Sequence, residues 1–182
     1  MDLAQFNNAG FDRGASRSRE LAWLLVRKLF FDGSVLPWYR LRRLWLRRFG
    51  ARLGDGVLIK PGAKITFPWR LSIGRHTWIG EDAWLLNLAP IEVGNNVCIS
   101  QRAFLCTGSH DWAKTTFDLV VKPIHIEDGA WICADVFVGP GVKIGENTVI
   151  TAGSVVTQDM PPGMVCSGNP CKPVKPRPDS DV

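Results

Sequence analysis

The residues best suited to acid–base chemistry near neutral pH are the three histidines of the chain, His76, His110 and His125. Because the imidazole pKa lies close to neutrality, a histidine can accept a proton in one step of a reaction and return it in the next. His110 follows a Gly-Ser pair and precedes Asp111 in the polar stretch 107–111. That setting makes His110 the candidate general base.

Two neighbours of His110 suggest different mechanisms. Asp111 could orient the imidazole, but the side chains of sequential neighbours often point apart, so a backbone carbonyl is an equally good partner. Cys106 lies four residues before His110, and a thiolate activated by a histidine is a well-known nucleophile. From these residues alone, His110 could act directly on a substrate or through Cys106.

The scaffold that must position His110 is a six-residue repeat. An aliphatic residue returns at every sixth position, and a small or β-branched residue stands two places before many of these rungs. A period of six fits a short strand followed by a corner, stacked turn on turn as in a parallel β-helix. The fifteen rungs are Leu53, Ile59, Ile65, Ile73, Ile79, Leu85, Val93, Ile99, Leu105, Ile126, Ile132, Val138, Ile144, Ile150 and Val156. Six rungs are followed directly by glycine, which tolerates the positive φ or the close backbone approach that a corner demands.

Three rung intervals are longer than six residues, and the longest contains His110. The intervals 65–73 and 85–93 are eight residues long, which predicts a two-residue bulge in each. The interval 105–126 is twenty-one residues long, which predicts an inserted loop over 107–123. Long loops on a rigid scaffold often carry function. The other two histidines fall within regular coils, where structural or solvated roles are expected.

The N-terminal part of the chain differs in composition from the repeats. Residues 1–52 hold eleven Lys and Arg against four Asp and Glu, although the net charge of the whole chain is only +5. Residues 1–18 predict a mobile arm, and 19–50 predict two basic amphipathic helices, over 19–31 and 38–49. Such helices could cap the open end of the β-helix or lie on an anionic membrane surface, and the two roles are compatible. Nucleic-acid binding is a poorer fit, because no recognition motif accompanies the arginines.

The remaining composition favours a protein of the cytoplasm. The five cysteines are odd in number and lack CxxC spacing, which argues for reduced thiols rather than a disulfide framework. No secretory signal is evident, because the apolar run 21–26 is short and is followed by Arg27 and Lys28. The β-helix is expected to end near residue 172, and the proline-rich stretch 173–182 predicts a disordered tail.

The end of the repeat array carries a further pattern. The runs Ala152-Gly153-Ser154-Val155-Val156-Thr157, Pro161-Pro162 and Gly168-Asn169-Pro170 follow the rungs and the Ser109-His110-Asp111 loop. With these features the chain resembles the hexapeptide-repeat acyltransferases, in particular the colanic-acid biosynthesis acetyltransferases, which are related to the maltose/galactoside and nodulation-factor acetyltransferases. The resemblance covers residues 40–177. It implies a left-handed parallel β-helix over 51–172, a homotrimer with active sites between neighbouring subunits, acetyl-CoA as the donor, a sugar hydroxyl as the acceptor, and no metal.

The resemblance also implies roles for individual residues. Direct transfer without an acyl-enzyme would use His110 as the catalytic base, while Asn87 and Asp111 would contact the acceptor. In the donor groove the backbone N–H of Ala134 would stabilise the developing oxyanion, whereas Gln158 replaces a lysine found in many relatives. The other implied donor contacts are Trp131, Ala152 and Thr157 along the pantetheine, and Lys172 and Lys175 near the adenosine 3′-phosphate.

The expected activity is therefore acetylation of a sugar hydroxyl in a polysaccharide precursor, in the cytoplasm. The basic helices would hold the enzyme near a lipid-linked oligosaccharide at the inner face of the membrane. A free small molecule such as a sugar, serine or a xenobiotic is the alternative acceptor. A β-helix scaffold without activity is disfavoured by His110. A metal-dependent γ-type carbonic anhydrase would need three converging histidines, and their spacing here does not match that family.

Overall fold

A computed structural model describes residues 1–32 and 38–178 of the chain. Two α-helices, Arg17–Phe30 (α1) and Tyr39–Arg48 (α2), precede a long series of short strands. The predicted helices are therefore confirmed to within two residues at each end, and residues 33–37 between them lie outside the described part. Short 3-10 turns occur at Leu3–Gln5 and Pro68–Arg70, the second of them in the first predicted bulge.

The strands are two to six residues long, and most of them follow one another around three faces of a β-helix. In chain order they are Arg52–Leu53 (β1), Leu58–Ile59 (β2), Lys64–Ile65 (β3), Leu71–Ile73 (β4), Trp78–Ile79 (β5), Trp84–Leu86 (β6), Ile91–Val93 (β7), Cys98–Ile99 (β8), Phe104–Cys106 (β9), Gly108–His110 (β10), Leu119–Val121 (β11), Ile124–Ile126 (β12), Trp131–Ile132 (β13), Phe137–Val138 (β14), Lys143–Ile144 (β15), Val149–Ile150 (β16), Val155–Val156 (β17), Met164–Gly168 (β18) and Cys171–Pro176 (β19).

Parallel pairing stacks these strands into three sheets, one on each face. The first face runs β1-β4-β7-β12-β15, the second face β2-β5-β8-β13-β16-β18, and the third face β3-β6-β9-β14-β17. The register places rung above rung, with Ile59 beside Ile79 and Ile79 beside Ile99. The predicted solenoid of six-residue repeats is confirmed.

The core is the stack of rungs together with the small residues that precede them. Fourteen of the fifteen rungs are buried, and only Leu53 in the first coil is half-buried. The stack ends on Cys166, which pairs in register with Ile150. Burial raises the pKa of the Cys166 thiol to about 11, so it serves as a core residue rather than a reactive group.

Five of the six glycines that follow rungs, all except Gly139, are required for close packing rather than for an unusual φ. A Cβ added to Gly74 would lie 2.5 Å from the backbone carbon of Gly94 in the next coil. The left-handed conformation occurs two residues further along each corner instead, for example at His76 (φ 56°) and Asn96 (φ 54°). Of the two reasons for glycine that the sequence offered, the close backbone approach is the one that applies.

The N-terminal helices cap the open end of the β-helix through hydrogen bonds. The N–H groups of each coil donate to the carbonyls of the next coil, as Lys60 does to Ile79 (2.9 Å). This direction leaves the carbonyls of the first coil without a strand partner, and buried carbonyls need donors. Four side chains supply them: Arg47 donates to Leu53 O, Arg43 to Val57 O, Arg42 to Ile59 O, and Trp23 Nε1 to Ile65 O. The cap is thus built partly from the arginines that made the helices basic.

Both chain ends differ from their predictions. Residues 1–16 are packed rather than a free arm, because Trp69 donates to Arg13 O (2.8 Å) and the Asp2 N–H donates to Thr115 O (2.9 Å). The predicted disordered tail is ordered up to residue 178, because β19 pairs antiparallel with β18 and covers its edge. Proline is tolerated in edge strands such as β19, where its missing N–H is not needed for pairing. Residues 179–182 lie outside the described part.

Candidate active site

The insertion predicted over 107–123 contains a β-hairpin that leaves the end of the third face. Its strands β10 and β11 pair antiparallel, with Gly108 opposite Val121 and His110 opposite Leu119. Residues directly opposite each other in such a pair present their side chains on the same face of the hairpin. His110 therefore stands on a rigid two-stranded element rather than on a loose loop.

The base of the hairpin is tied to the neighbouring coil by Thr107. Its buried hydroxyl donates to Leu86 O (2.8 Å) and accepts from the N–H of Ala89 (2.9 Å). The preceding Cys106 is also buried, and its thiol donates to Gly108 O at 3.1 Å. A buried thiol bonded to a carbonyl is not presented to an incoming substrate, so the geometry favours direct action of His110 over a Cys106 nucleophile.

The ring of His110 is held by a backbone carbonyl, which was one of the two partners considered from the sequence. Nδ1 lies 2.8 Å from Phe117 O. A carbonyl oxygen only accepts hydrogen bonds, so Nδ1 must carry the proton in this contact. The neutral imidazole then has its lone pair on Nε2, and no described residue is hydrogen-bonded to Nε2. This is the tautomer that a general base requires.

Two aromatic rings fix the plane of the imidazole. Phe117 stacks on His110 with ring centroids 4.1 Å apart and an interplanar angle of 2°, and Phe6 meets it edge-on at 5.4 Å. Phe117 adopts φ 52°, a left-handed conformation that costs a bulky residue about 1–3 kcal/mol. Such strain is typical of residues whose position serves a site. Sequence reasoning missed both phenylalanines, since neither belongs to a repeat or a motif.

Asp111 takes part in the hairpin turn and not in orienting His110. Its Oδ1 accepts from the N–H of Ala113 (3.1 Å), and its own N–H donates to Asp118 O (2.8 Å). The turn is closed by an ion pair between Lys114 and Asp118 at 2.8 Å. Contact of Asp111 with an acceptor remains a prediction.

The structure places Asn87 inside the scaffold, and its contact with an acceptor stays a prediction. Asn87 is fully buried, and its Oδ1 accepts from the N–H groups of Thr66 (3.1 Å) and Phe67 (2.8 Å). Its Nδ2 donates to Phe67 O at 2.6 Å. The side chain therefore links the second bulge to the first. Both polar atoms of its amide have hydrogen-bond partners within the scaffold.

The residues assigned to the donor lie on the second face and at the corners near the C-terminal end. Trp131 projects outward from β13, 45% exposed, and donates to Ser100 Oγ at 2.9 Å. The N–H of Gly153 donates to Ala134 O (3.0 Å), so the corners that carry Ala134 and Ala152 are stacked. The N–H of Ala134 has no hydrogen-bond partner among the described residues, which leaves it available as a donor.

The three remaining donor residues are exposed at other places. Thr157 follows β17 at the corner where the third face ends. Lys172 and Lys175 lie on β19, opposite Ser167 and Val165 of β18. Their exposed ammonium groups could meet a phosphate.

Known proteins that are similar to this chain include acetyltransferases. A family model described as "Bacterial transferase hexapeptide (six repeats)" matches residues 123–158. The chain is 40% identical over 180 residues to the "Putative colanic acid biosynthesis acetyltransferase WcaF" of Escherichia coli (strain K12), with 99% of each protein covered. The chain belongs to the hexapeptide-repeat acetyltransferase family. A galactoside O-acetyltransferase of the same organism is 30% identical over 143 residues, which are 77% of this chain and 70% of that one.

Solved structures confirm the fold of this acetyltransferase. A hexapeptide-repeat acetyltransferase from Vibrio cholerae O1 biovar eltor, complexed with acetyl-CoA, superposes with a TM-score of 0.81 at 30% identity, covering 91% of this chain and 92% of that one. A maltose O-acetyltransferase from Clostridium difficile 630 gives a TM-score of 0.80 at 27% identity, with 89% and 88% covered. The predicted fold class, a left-handed parallel β-helix with an N-terminal helical segment, and the predicted acyltransferase activity are both confirmed.

The other two histidines of the acetyltransferase occupy regular coils, as predicted. His76 sits at a corner of the first face, and His125 on β12 pairs with Glu92 at 3.2 Å. Within 1–32 and 38–178, no three His, Cys, Asp or Glu side chains come together as a metal-binding group.

Within one chain of the acetyltransferase, the candidate base and the candidate oxyanion donor lie apart. On the third face β9 and β14 pair with Phe104 beside Phe137. Ala134 comes before β14, whereas His110 comes after β9, so the two residues lie at opposite ends of the paired strands. A substrate that contacts both residues of one chain must therefore span this face.

Proposed function

We propose that this acetyltransferase transfers the acetyl group of acetyl-CoA to a hydroxyl of a sugar in a cell-surface polysaccharide precursor, in the cytoplasm. The observation that carries the proposal is the fixed imidazole of His110, whose Nδ1–H is held by Phe117 O so that Nε2 is the free base. The similarity to a galactoside O-acetyltransferase and to an acetyltransferase complexed with acetyl-CoA supports the acceptor class and the donor.

The reaction follows from the properties of these groups. Nε2 of His110 takes the proton of the sugar hydroxyl as its oxygen attacks the thioester carbon, and the N–H of Ala134 stabilises the oxyanion. When the tetrahedral intermediate collapses, the carbon–sulfur bond breaks and the imidazolium returns the proton to the CoA sulfur. The ester and free CoA are the products, and no metal or acyl-enzyme is required.

The separation of His110 from Ala134 supports a site formed between subunits of a homotrimer. The outward side of the third face carries a row of aromatic rings, with Trp84 stacked on Phe104 at 4.6 Å and Phe104 against Phe137 at 5.5 Å. Trp131 on the second face is also half exposed. Contiguous exposed aromatic surface is typical of protein interfaces. In a trimer the second or third face of one subunit would meet the hairpin of its neighbour.

The first test is release of CoA from acetyl-CoA by the purified protein in the presence of nucleotide sugars, free sugars or lipid-linked oligosaccharides. We expect release that depends on a sugar and yields the acetylated sugar, measured by thiol titration and mass spectrometry. Equal release with serine or a xenobiotic would move the function to free small molecules. CoA binding without transfer to any sugar would contradict the proposal.

We further propose that the acceptor is lipid-linked and that helix α1 touches an anionic membrane. Trp23 and Val26 are buried beneath α1, while Leu21, Leu25 and Leu29 form an outward row that is 67%, 63% and 57% exposed. Exposed basic residues accompany this row, as on helices that lie in the interface of anionic bilayers. Neither helix of the described residues has the length and apolar composition of a membrane-spanning segment.

Replacing Leu21, Leu25 and Leu29 by serine tests this contact. We expect at least about tenfold weaker binding to phosphatidylglycerol-containing vesicles in a sedimentation assay, because the apolar row supplies the buried area. The fold should persist, since these side chains are exposed. Val174→Ser, which changes another exposed aliphatic residue, is the matched control. Vesicle binding that the triple change leaves intact would contradict a membrane role for α1.

A further inference from the structure

A cleft of about 480 Å³ lies between the N-terminal arm, residues 1–16, and the insertion hairpin. Its walls include Asn7, Asn8 and Asp12 from the arm, Arg70 from the first bulge, and Leu119 and Val121 from β11. The cleft exists only because the arm is packed against the hairpin.

The cleft opens on the same face of the hairpin as His110. Leu119 and Val121 both line it, and residues two apart in a strand share a face. Leu119 is directly opposite His110, so its side chain projects beside the imidazole. Phe6, which precedes the cleft residues of the arm, touches the ring of His110. A ligand in the cleft is therefore a neighbour of the candidate base.

The cleft walls carry groups that suit sugar hydroxyls. Hydroxyls both donate and accept, and planar amides and carboxylates complement them. The carboxamide of Asn8 has no hydrogen-bond partner among the described residues and is exposed, whereas Asn7 already accepts from the N–H of Ala9 (2.8 Å). Phe11 adds an aromatic wall. Few polar groups on a partly apolar surface are typical of small-molecule sites.

The charges of the cleft are already compensated. Asp118 is paired with Lys114 at 2.8 Å, and Asp12 Oδ2 lies 3.9 Å from Arg70. The guanidinium of Arg70 also donates to the carbonyls of Leu88 and Asp12. No cation of the cleft walls described here is left over for an anionic ligand, whose desolvation would then be uncompensated.

We propose that this cleft binds the sugar ring that carries the hydroxyl to be acetylated, and that it takes a neutral pyranose in preference to an anionic one. The inference rests on the proposed function, and it makes the N-terminal arm a specificity-determining element. We expect Asn8 to contact the sugar, since the carboxamide of Asn8 is free to form a hydrogen bond with a hydroxyl.

The test compares methyl β-galactopyranoside with its uronic-acid counterpart, methyl β-galacturonide, as acceptors. We expect kcat/KM at least about tenfold higher for the neutral sugar, since a site without a free cation rejects a carboxylate. Asn8→Ala should raise the KM for the neutral sugar about tenfold, and Asn8→Trp, which fills the cleft, should raise it further. The KM for acetyl-CoA should stay unchanged in both. Gln5→Ala, an exposed amide of the same arm outside the cleft, is the control.

Acceptor KM values equal to those of the wild type in both Asn8 variants, or a preference for the uronide, would overturn the inference while leaving the acetyltransferase function intact. If the wild type acetylates no sugar at all, the proposed function fails instead. Saturation-transfer NMR with methyl β-galactopyranoside then tests separately whether the cleft binds the sugar. A saturation-transfer signal that Asn8→Trp abolishes would support binding in the cleft, and the absence of a signal with the wild type would overturn the inference.

Discussion

Replacing His110 with alanine is expected to lower kcat for sugar acetylation by at least about two orders of magnitude, which is the usual effect of losing a general base. The alanine removes Nε2, so the sugar hydroxyl must attack without transfer of its proton. Binding of acetyl-CoA should be unchanged, because the donor residues assigned here lie elsewhere on the scaffold. Initial rates of CoA release at saturating substrates measure the effect.

Two further variants separate chemistry from structure. His110→Asn keeps a donor near the position of Nδ1, so it can retain the hydrogen bond to Phe117 O (2.8 Å) while it removes the base. It should be as inactive as the alanine variant if His110 is the base, and active if His110 only supports the hairpin. His125→Ala, on the first face, should keep turnover within about threefold. Near-normal turnover of His110→Ala would remove His110 from the mechanism.

The fold was predictable because the sequence repeats one local pattern in every coil. Each rung occupies the same position in a coil, so the period alone identifies the buried stack, and the register confirms it for Ile59, Ile79 and Ile99. The position of the insertion followed from the longest of the three irregular intervals between rungs. Periodicity also located His110 at the point where the scaffold is interrupted.

The surroundings of His110 were less predictable, because they depend on contacts between segments without a pattern. Phe6 reaches the imidazole from more than a hundred residues away in the chain, and Phe117 supplies a carbonyl that any residue type could offer. The polarity of Asn87 suggested a contact with the acceptor, and the sequence did not show that its amide is hydrogen-bonded to the backbone of a neighbouring bulge. Composition does not distinguish these two uses of an amide.

The terminal segments were predicted poorly for the same reason, because their structure depends on contacts with distant parts of the chain. Residues 1–16 are polar, yet they acquire partners because Trp69 and Thr115 present polar groups to them. The basic residues of α2 suggested a membrane surface, whereas three of its arginines bond to carbonyls of the first coil. Whether an arginine of α2 bonds to the first coil or faces solvent depends on where its side chain points. The helical period of 3.6 residues shows only which residues share a face of the helix.

Arg42→Met is expected to destabilise the protein by about 2–5 kcal/mol, because it removes the donor to two backbone carbonyls that stay out of water. Arg42 is fully buried, and it donates to Phe30 O (2.9 Å) and Ile59 O (3.4 Å). Burial lowers the pKa of its guanidinium, yet a guanidinium stays charged and keeps its donors at neutral pH. For a chain of this size the change corresponds to a thermal midpoint lower by about 5–15 °C, which calorimetry measures.

The matched control is Arg48→Met on the same helix, where the side chain is exposed. That change should move the midpoint by no more than about 2 °C, since exposed substitutions rarely exceed about 0.5 kcal/mol. A large decrease of the thermal midpoint in Arg42→Met, together with a small decrease in Arg48→Met, would show that α2 stabilises the β-helix by covering its first coil. Equal midpoints for Arg42→Met and the wild type would mean that the first coil keeps its carbonyls satisfied without the cap, and the basic residues of α2 would then need another reason.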